Sequence, residues 1–296
     1  MEKTMEQRAT RADILAAIQE IPLLSPSASR LLQIASKEDY DISEIIEVVK
    51  CDSALTARLL KTVNSVAYGL VHQVTSIDRA VSYLGERLIA GIALEDSAKA
   101  LFNKELEGYE GPVGELWEHD LRTAIAAREI ARHCKTDLSK DLAFTAGILH
   151  AIGKAVLSDF LRGSATELLA DIDSHDIEDY LEGERNILGM DHTEAGFELA
   201  KAWELPESLQ MAIQYHHTPN QAPEQYRPLV YAVHLGCIIA MMSGSHSSDA
   251  LQYHLDKNYT DYFNITNEHI AMALLEVNES VGIIQAALSE GREQSE

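Results

Sequence analysis

No segment of this 296-residue chain alternates apolar and polar residues for long enough to build a strand, and no hairpin turn separates its apolar runs. The apolar residues fall instead at helical spacing, which predicts an all-α fold. Leu55, Leu59, Val63 and Val66, at steps of four, four and three, make one stripe that leaves Arg58, Lys61 and Asn64 off its centre. Asp41-Ile42-Ser43-Glu44 reads as a capping box opening a helix to about Lys50, and Asp52 or Ser53 caps the next. Ser76 starts a short helix over 77–84 that Gly85 is placed to end.

The densest run of turn residues, Gly108, Tyr109, Gly111, Pro112 and Gly114, divides the chain. The prediction is two helical lobes, 1–105 and 106–245, followed by a helical extension over 246–296 whose polar tail from Ser289 frays. The second lobe should hold helices over 115–134, up to His150 and over 154–161. A second capping box stands at Asp191-His192-Thr193-Glu194, and a further helix starts after Pro206 and stops near His217, before Pro219. The very apolar run 229–242 belongs in the core, and 268–277 adds helix to the extension.

Composition excludes some partners. Against 47 Asp and Glu stand 24 Lys and Arg, a net charge of −23, which repels phosphate backbones and anionic lipid and argues against nucleic acid and membranes. A small anionic nucleotide is not excluded, because Lys154 and Arg162 could form a local positive pocket. Cys51, Cys134 and Cys237 include no C-x-x-C pair, which fits a reducing compartment. The charged stretch 1–11 lacks the apolar centre of a signal peptide, and no run approaches the roughly 18 uninterrupted apolar residues of a membrane span. A cytoplasmic protein is expected.

Four motifs carry a resemblance. Cys51-Asp52-Ser53-Ala54-Leu55-Thr56-Ala57-Arg58 runs into Val63-Asn64-Ser65, Tyr68-Gly69 and Ile77-Asp78-Arg79-Ala80-Val81. Leu116-Trp117-Glu118-His119, then Gly147-Ile148-Leu149-His150-Ala151-Ile152-Gly153-Lys154, then Trp203-Glu204-Leu205-Pro206 leading to Tyr215-His216-His217 complete the series. Over roughly residues 20 to 240 the chain resembles the HDOD domain, the HD-related output domain of bacterial signalling proteins. The resemblance implies a helical N-terminal lobe, a second lobe with the HD phosphohydrolase fold, and a regulatory role exercised by binding other proteins.

It also implies where a metal site would lie. In the HD superfamily a histidine, a His-Asp pair and a later aspartate hold metal; His119 and His150 match the histidines, while Ala151 and Cys237 stand where the carboxylates would be. His192, His216 and His217 lie where some subfamilies place further ligands, and Lys154 is either an exposed first-turn lysine or a group that steers phosphate. Without carboxylates a two-metal hydrolase is disfavoured. The pocket is expected to hold no cofactor or, at most, a single divalent ion such as zinc on His119, His150 and Cys237, since N and S donors suit zinc.

The leading functional expectation is therefore a non-catalytic signalling module that binds cytosolic signalling proteins, with Arg58, Lys61 and Arg79 as exposed probes of the N-terminal lobe. The alternative is a metal-dependent phosphohydrolase of nucleotides or cyclic dinucleotides, and a third reading is a sensor with a small ligand in the vacated pocket. Trp117 and Trp203 are read as core anchors and Asn64 as a turn brace.

Overall fold

A computed structural model describes residues 9–37, 40–244 and 254–293, and within them no strand forms; the β-type contacts are two isolated bridges, Leu106–Gly111 and Cys134–Phe263. The all-α expectation holds. The first six helices are α1 (Arg11–Glu20), α2 (Pro26–Ala35), α3 (Ile42–Lys50), α4 (Ser53–Val63), α5 (Ile77–Ser97) and α6 (Lys99–Phe102). After the Gly and Pro cluster come α7 (Glu115–Ala131), α8 (Lys140–Leu149), α9 (Ile152–Leu157), α10 (Ala165–Asp173) and α11 (Tyr180–Leu188). They are followed by α12 (His192–Ala202), α13 (Glu207–Tyr215), α14 (Arg227–Met242) and α15 (Asn267–Glu293). Of the C-terminal extension expected over 246–296, residues 246–253 and the last three of the tail lie outside the described residues, and the predicted 268–277 helix is part of the much longer α15.

Caps explain most of the helix starts. Asp41, Asp52, Ser76, Ser139 and Asp191 each accept a hydrogen bond from a first-turn amide. At Asp191 the side chain takes the N–H groups of both Thr193 and Glu194, and Glu194 itself pairs with Arg11, so α1 is tied to α12. Trp203 strengthens the same junction by donating from Nε1 to the Pro22 carbonyl at 3.1 Å. Gly85 ends the helical run from Ile77, as its position predicts, but a second run begins at once, and α5 bends at a residue with φ 75° and ψ 152°. That conformation is open to glycine because it has no Cβ.

The second lobe is built on α7, with α8 and α14 packed along it. Gly147 and Gly236 let the helix backbones meet: a Cβ on Gly147 would sit 2.5 Å from Ala124 Cα, and one on Gly236 would sit 2.8 Å from the Thr123 carbonyl. α15 lies across both lobes, touching α4 and the turn 66–68 on one side and α7 and α14 on the other. By length and composition alone the helix over Asn267–Leu288 could cross a membrane; its Ala273, Val277, Val281 and Leu288 are buried within the fold.

Two N-terminal expectations divide. Asn64 is a brace: its Nδ2 donates to the carbonyls of Leu60 and Val74, and its Oδ1 accepts the Val74 N–H at 2.7 Å, closing the loop between α4 and α5. Asn64→Ala should lower unfolding free energy by about 1–3 kcal/mol, because two loop groups lose partners; a urea midpoint equal to wild type would refute this role. Arg58, by contrast, is not an exposed probe. It lies partly buried against Glu95, at 2.8 Å, and Asp96, so its substitution strips a buried carboxylate of a partner.

Candidate functional site

Three helix ends and two helix interiors bring the histidines together. His119 lies in the second turn of α7, His150 follows α8, and Cys237 sits in the middle of α14; their donor atoms all lie within 4.8 Å of one another. His119 Nε2 is 3.2 Å from His150 Nε2 and 3.7 Å from Cys237 Sγ. His192 opens α12, and His216 and His217 follow α13; these three form a second group of the same compactness, with His217 Nε2 3.2 Å from His192 Nε2. The groups adjoin, since the His150 and His216 ring centres are 4.9 Å apart. All five histidines singled out in the sequence thus share one cluster, four of them buried and His217 half-buried.

Three of the rings, His150, His192 and His216, are held from behind. His150 Nδ1 contacts the Gly147 carbonyl at 2.8 Å and Asp120 Oδ1 at 3.2 Å, and His216 Nδ1 contacts the Ile213 carbonyl at 2.8 Å. His192 Nδ1 lies 2.9 and 3.0 Å from the two Glu184 oxygens. Glu184 also accepts from the His192 backbone N–H at 2.7 Å and from Tyr109 OH at 2.5 Å. Carboxylate behind imidazole is the arrangement that fixes a metal-ligating histidine with Nε2 forward.

Burial and charge act in opposite directions here. Burial pushes the Asp120 carboxyl up to about 6. Burial disfavours charge on His150 too, but Asp120 and Cys237 outweigh it and raise the imidazole to about 10. His216 and His217 are pushed well below the ordinary imidazole range by burial first and then by neighbouring imidazoles and Lys154.

Lys154 is buried, its Nζ 5.5 Å from the centre of the Tyr109 ring, because every residue of the short helix α9 faces protein. The exposed-lysine reading fails on that ground. Arg162 does not join it; the guanidinium is exposed and pairs with Glu107 at 2.7 Å. Trp117 and Trp203 are buried core residues, as read from the sequence.

The donor geometry can be tested against a metal. In a tetrahedral zinc site, bonds of about 2.0–2.3 Å place neighbouring donors roughly 3.3–3.7 Å apart. The His119–His150 and His119–Cys237 separations, 3.2 and 3.7 Å, match the edges of such a tetrahedron. Among the described residues the buried His216 Nε2 has no hydrogen-bond partner, and with Nδ1 on the Ile213 carbonyl it offers a lone pair to the second group. A two-metal hydrolytic centre fits less well. Ala151 presents a methyl group, and Asp120 and Glu184 stand behind His150 and His192, away from the ring nitrogens that face the cluster.

The HDOD domain model matches residues 21–219, two thirds of the chain. This chain belongs to the HDOD domain family. An uncharacterized protein of Treponema pallidum (strain Nichols) is 27% identical over 231 residues, which cover 75% of this chain and 42% of that protein. The chain thus spans less than half the length of this relative. An HDOD domain protein of unknown function from Geobacter sulfurreducens shares the fold with a TM-score of 0.65 and 24% identity, covering 95% of this chain and 96% of that one. A candidate signal transduction protein from Marinobacter aquaeolei VT8 gives 0.73 and 21%, over 97% of this chain and 62% of that one. A candidate metal-dependent phosphohydrolase from Shewanella amazonensis SB2B gives 0.52 and 18%, over 94% and 97%.

Within this HDOD chain, Asp120 and Glu184 are the residues that sequence reasoning missed. A signal for each existed. Asp120 interrupts the stripe Leu116, Asp120, Ala124 of α7, and Glu184 sits between Leu181 and Leu188 on the buried side of α11, so both are carboxylates at core positions of amphipathic helices.

Proposed function

We propose that this HDOD chain is a non-catalytic signalling module whose histidine cluster holds its second lobe together, binding one soft divalent cation on His119, His150 and Cys237. The observation that carries this reading is the placement of the carboxylates. Hydrolysis by paired cations uses a bridging oxygen donor to hold both ions on the reacting group. Here Glu184 is hydrogen-bonded to His192 Nδ1, Asp120 lies 3.2 Å behind His150 Nδ1, and position 151 contributes a methyl group. A cation on His119, His150 and Cys237 would instead cross-link α7, α8 and α14, with the thiolate offsetting part of its charge. Cytosolic signalling proteins are the proposed partners. The N-terminal lobe is the proposed contact face, where Val66 and Val71 stand exposed on the loop that Asn64 braces.

A second reading draws on His192, His216 and His217, since three imidazoles and a water can make a hydrolytic zinc site. The buried Lys154 ammonium works against a dication there, as its effect on His216 and His217 indicates. Elemental analysis of the purified chain, with a phosphate-release assay on nucleotides and a cyclic dinucleotide, separates the two. About one zinc per chain, lost in Cys237→Ala, and no turnover with added zinc, manganese or magnesium is the expected result. Chelator-sensitive turnover that survives Cys237→Ala and disappears in His217→Ala would establish the second reading instead.

A further inference from the structure

Far from the histidine cluster, the end of α7 and the start of α15 are joined by a second pair of imidazoles. The rings of His133 and His269 stack at 3.7 Å between centres with 10° between planes. Around them the backbones form a short clasp: Asn264 donates to the His133 carbonyl at 2.9 Å, Lys135 to the Tyr262 carbonyl at 2.8 Å, and Cys134 bridges to Phe263. Beyond the stack, Arg128 continues the seam through Glu276 at 3.0 Å.

His269 also caps its own helix. Thr266 Oγ1 accepts the His269 N–H at 3.3 Å, and His269 Nδ1 accepts the Thr266 N–H at 3.4 Å, a reciprocal box with histidine in the place usually held by glutamate. The box requires an unprotonated Nδ1. A positive charge on the His133 ring stacked against it would also face the positive end of the α15 dipole.

We propose that the His133–His269 stack is a pH-sensitive latch: proton uptake by His133, against the ring stacked on it, releases the first turns of α15 from α7 and loosens the bridge that α15 makes between the lobes. The charged and titratable groups facing His133 are Glu129 and Arg132 from α7 and its end, and His269 from α15. Glu129 is already paired with Arg128 and with Arg132, at 3.0 and 3.1 Å, which limits its ability to balance a new charge. Burial first, and the facing imidazole second, lower the His133 pKa from its ordinary value. A group that binds protons more weakly when docked favours the undocked state as pH falls. The latch is therefore at full strength above the free imidazole value, about 6.5, and weakens below it until the docked imidazole also titrates.

Hydrogen–deuterium exchange of the full chain at pH 7.5 and 5.5, normalised for intrinsic exchange, tests this on peptides from the first half of α15. Wild type is expected to exchange roughly three- to tenfold faster there at the lower pH, with α8 and α14 changing less. Equal normalised protection at both pH values overturns the proposal. The double variant His133→Gln/His269→Gln should lose the pH step, whether α15 is then held or free at both values. A step that persists in the double variant also overturns it.

Discussion

Gly153→Ala should destabilise the chain by about 3 kcal/mol or more, at or beyond the usual upper range for a methyl group forced into a packed interior. The added Cβ would lie 1.9 Å from the His192 carbonyl oxygen and 2.6 Å from the Gly196 N, both backbone atoms that no rotamer change can move. Relief requires α9 and α12 to separate. His192 is the first residue of α12, so the same displacement should disturb the His192, His216 and His217 group. Gly196→Ala is the internal comparison. Its Cβ would meet the Ile213 γ2 methyl at 2.8 Å, a side-chain rather than a backbone atom, and the Gly153 N only at 3.2 Å, so a smaller loss is expected. Urea unfolding of the two variants checks the order, and a Gly153→Ala protein as stable as wild type would remove the argument for a glycine contact between these helices.

Gly153 also shows how far the sequence could be read. Its place in the run Gly147-Ile148-Leu149-His150-Ala151-Ile152-Gly153-Lys154 marks a turn and a family motif, but its closest constraint comes from α12, some 40 residues away. Signals that act within one helical turn were legible: Asp52, Ser76 and Asp191 cap where their spacing indicates, and the Leu55, Leu59, Val63 stripe is buried. The order of the histidine motifs pointed to His119, His150 and at least one of His192, His216 and His217 in one place, and the structure gathers all five. Charged side chains were harder to place, because Lys154, Asp120 and Glu184 are buried by helices remote in sequence. Gly85 lies between these cases. Its left-handed conformation was readable, whereas the immediate resumption of α5 depends on how the following segment packs.

Glu184→Ala is the other substitution with a large expected effect, a loss of about 3–5 kcal/mol, as when one partner of a buried charged network is removed. Tyr109, Glu184 and His192 are each fully buried. The Glu184 carboxylate accepts from Tyr109 OH, from the His192 N–H and from His192 Nδ1, and alanine would remove all three contacts. Glu184→Gln keeps the shape but turns an amide NH2 toward at least one donor, which should cost about 1–3 kcal/mol. Tyr109→Phe removes one hydrogen bond and keeps the packing of the ring on Tyr180, so about 1 kcal/mol is expected. Because Tyr109 and His192 share the same carboxylate, Tyr109→Phe in the Glu184→Ala background should cost less than it does in wild type by at least about 0.5 kcal/mol. Urea unfolding of the four proteins gives that coupling directly. Additive losses would show that Tyr109 and Glu184 act independently.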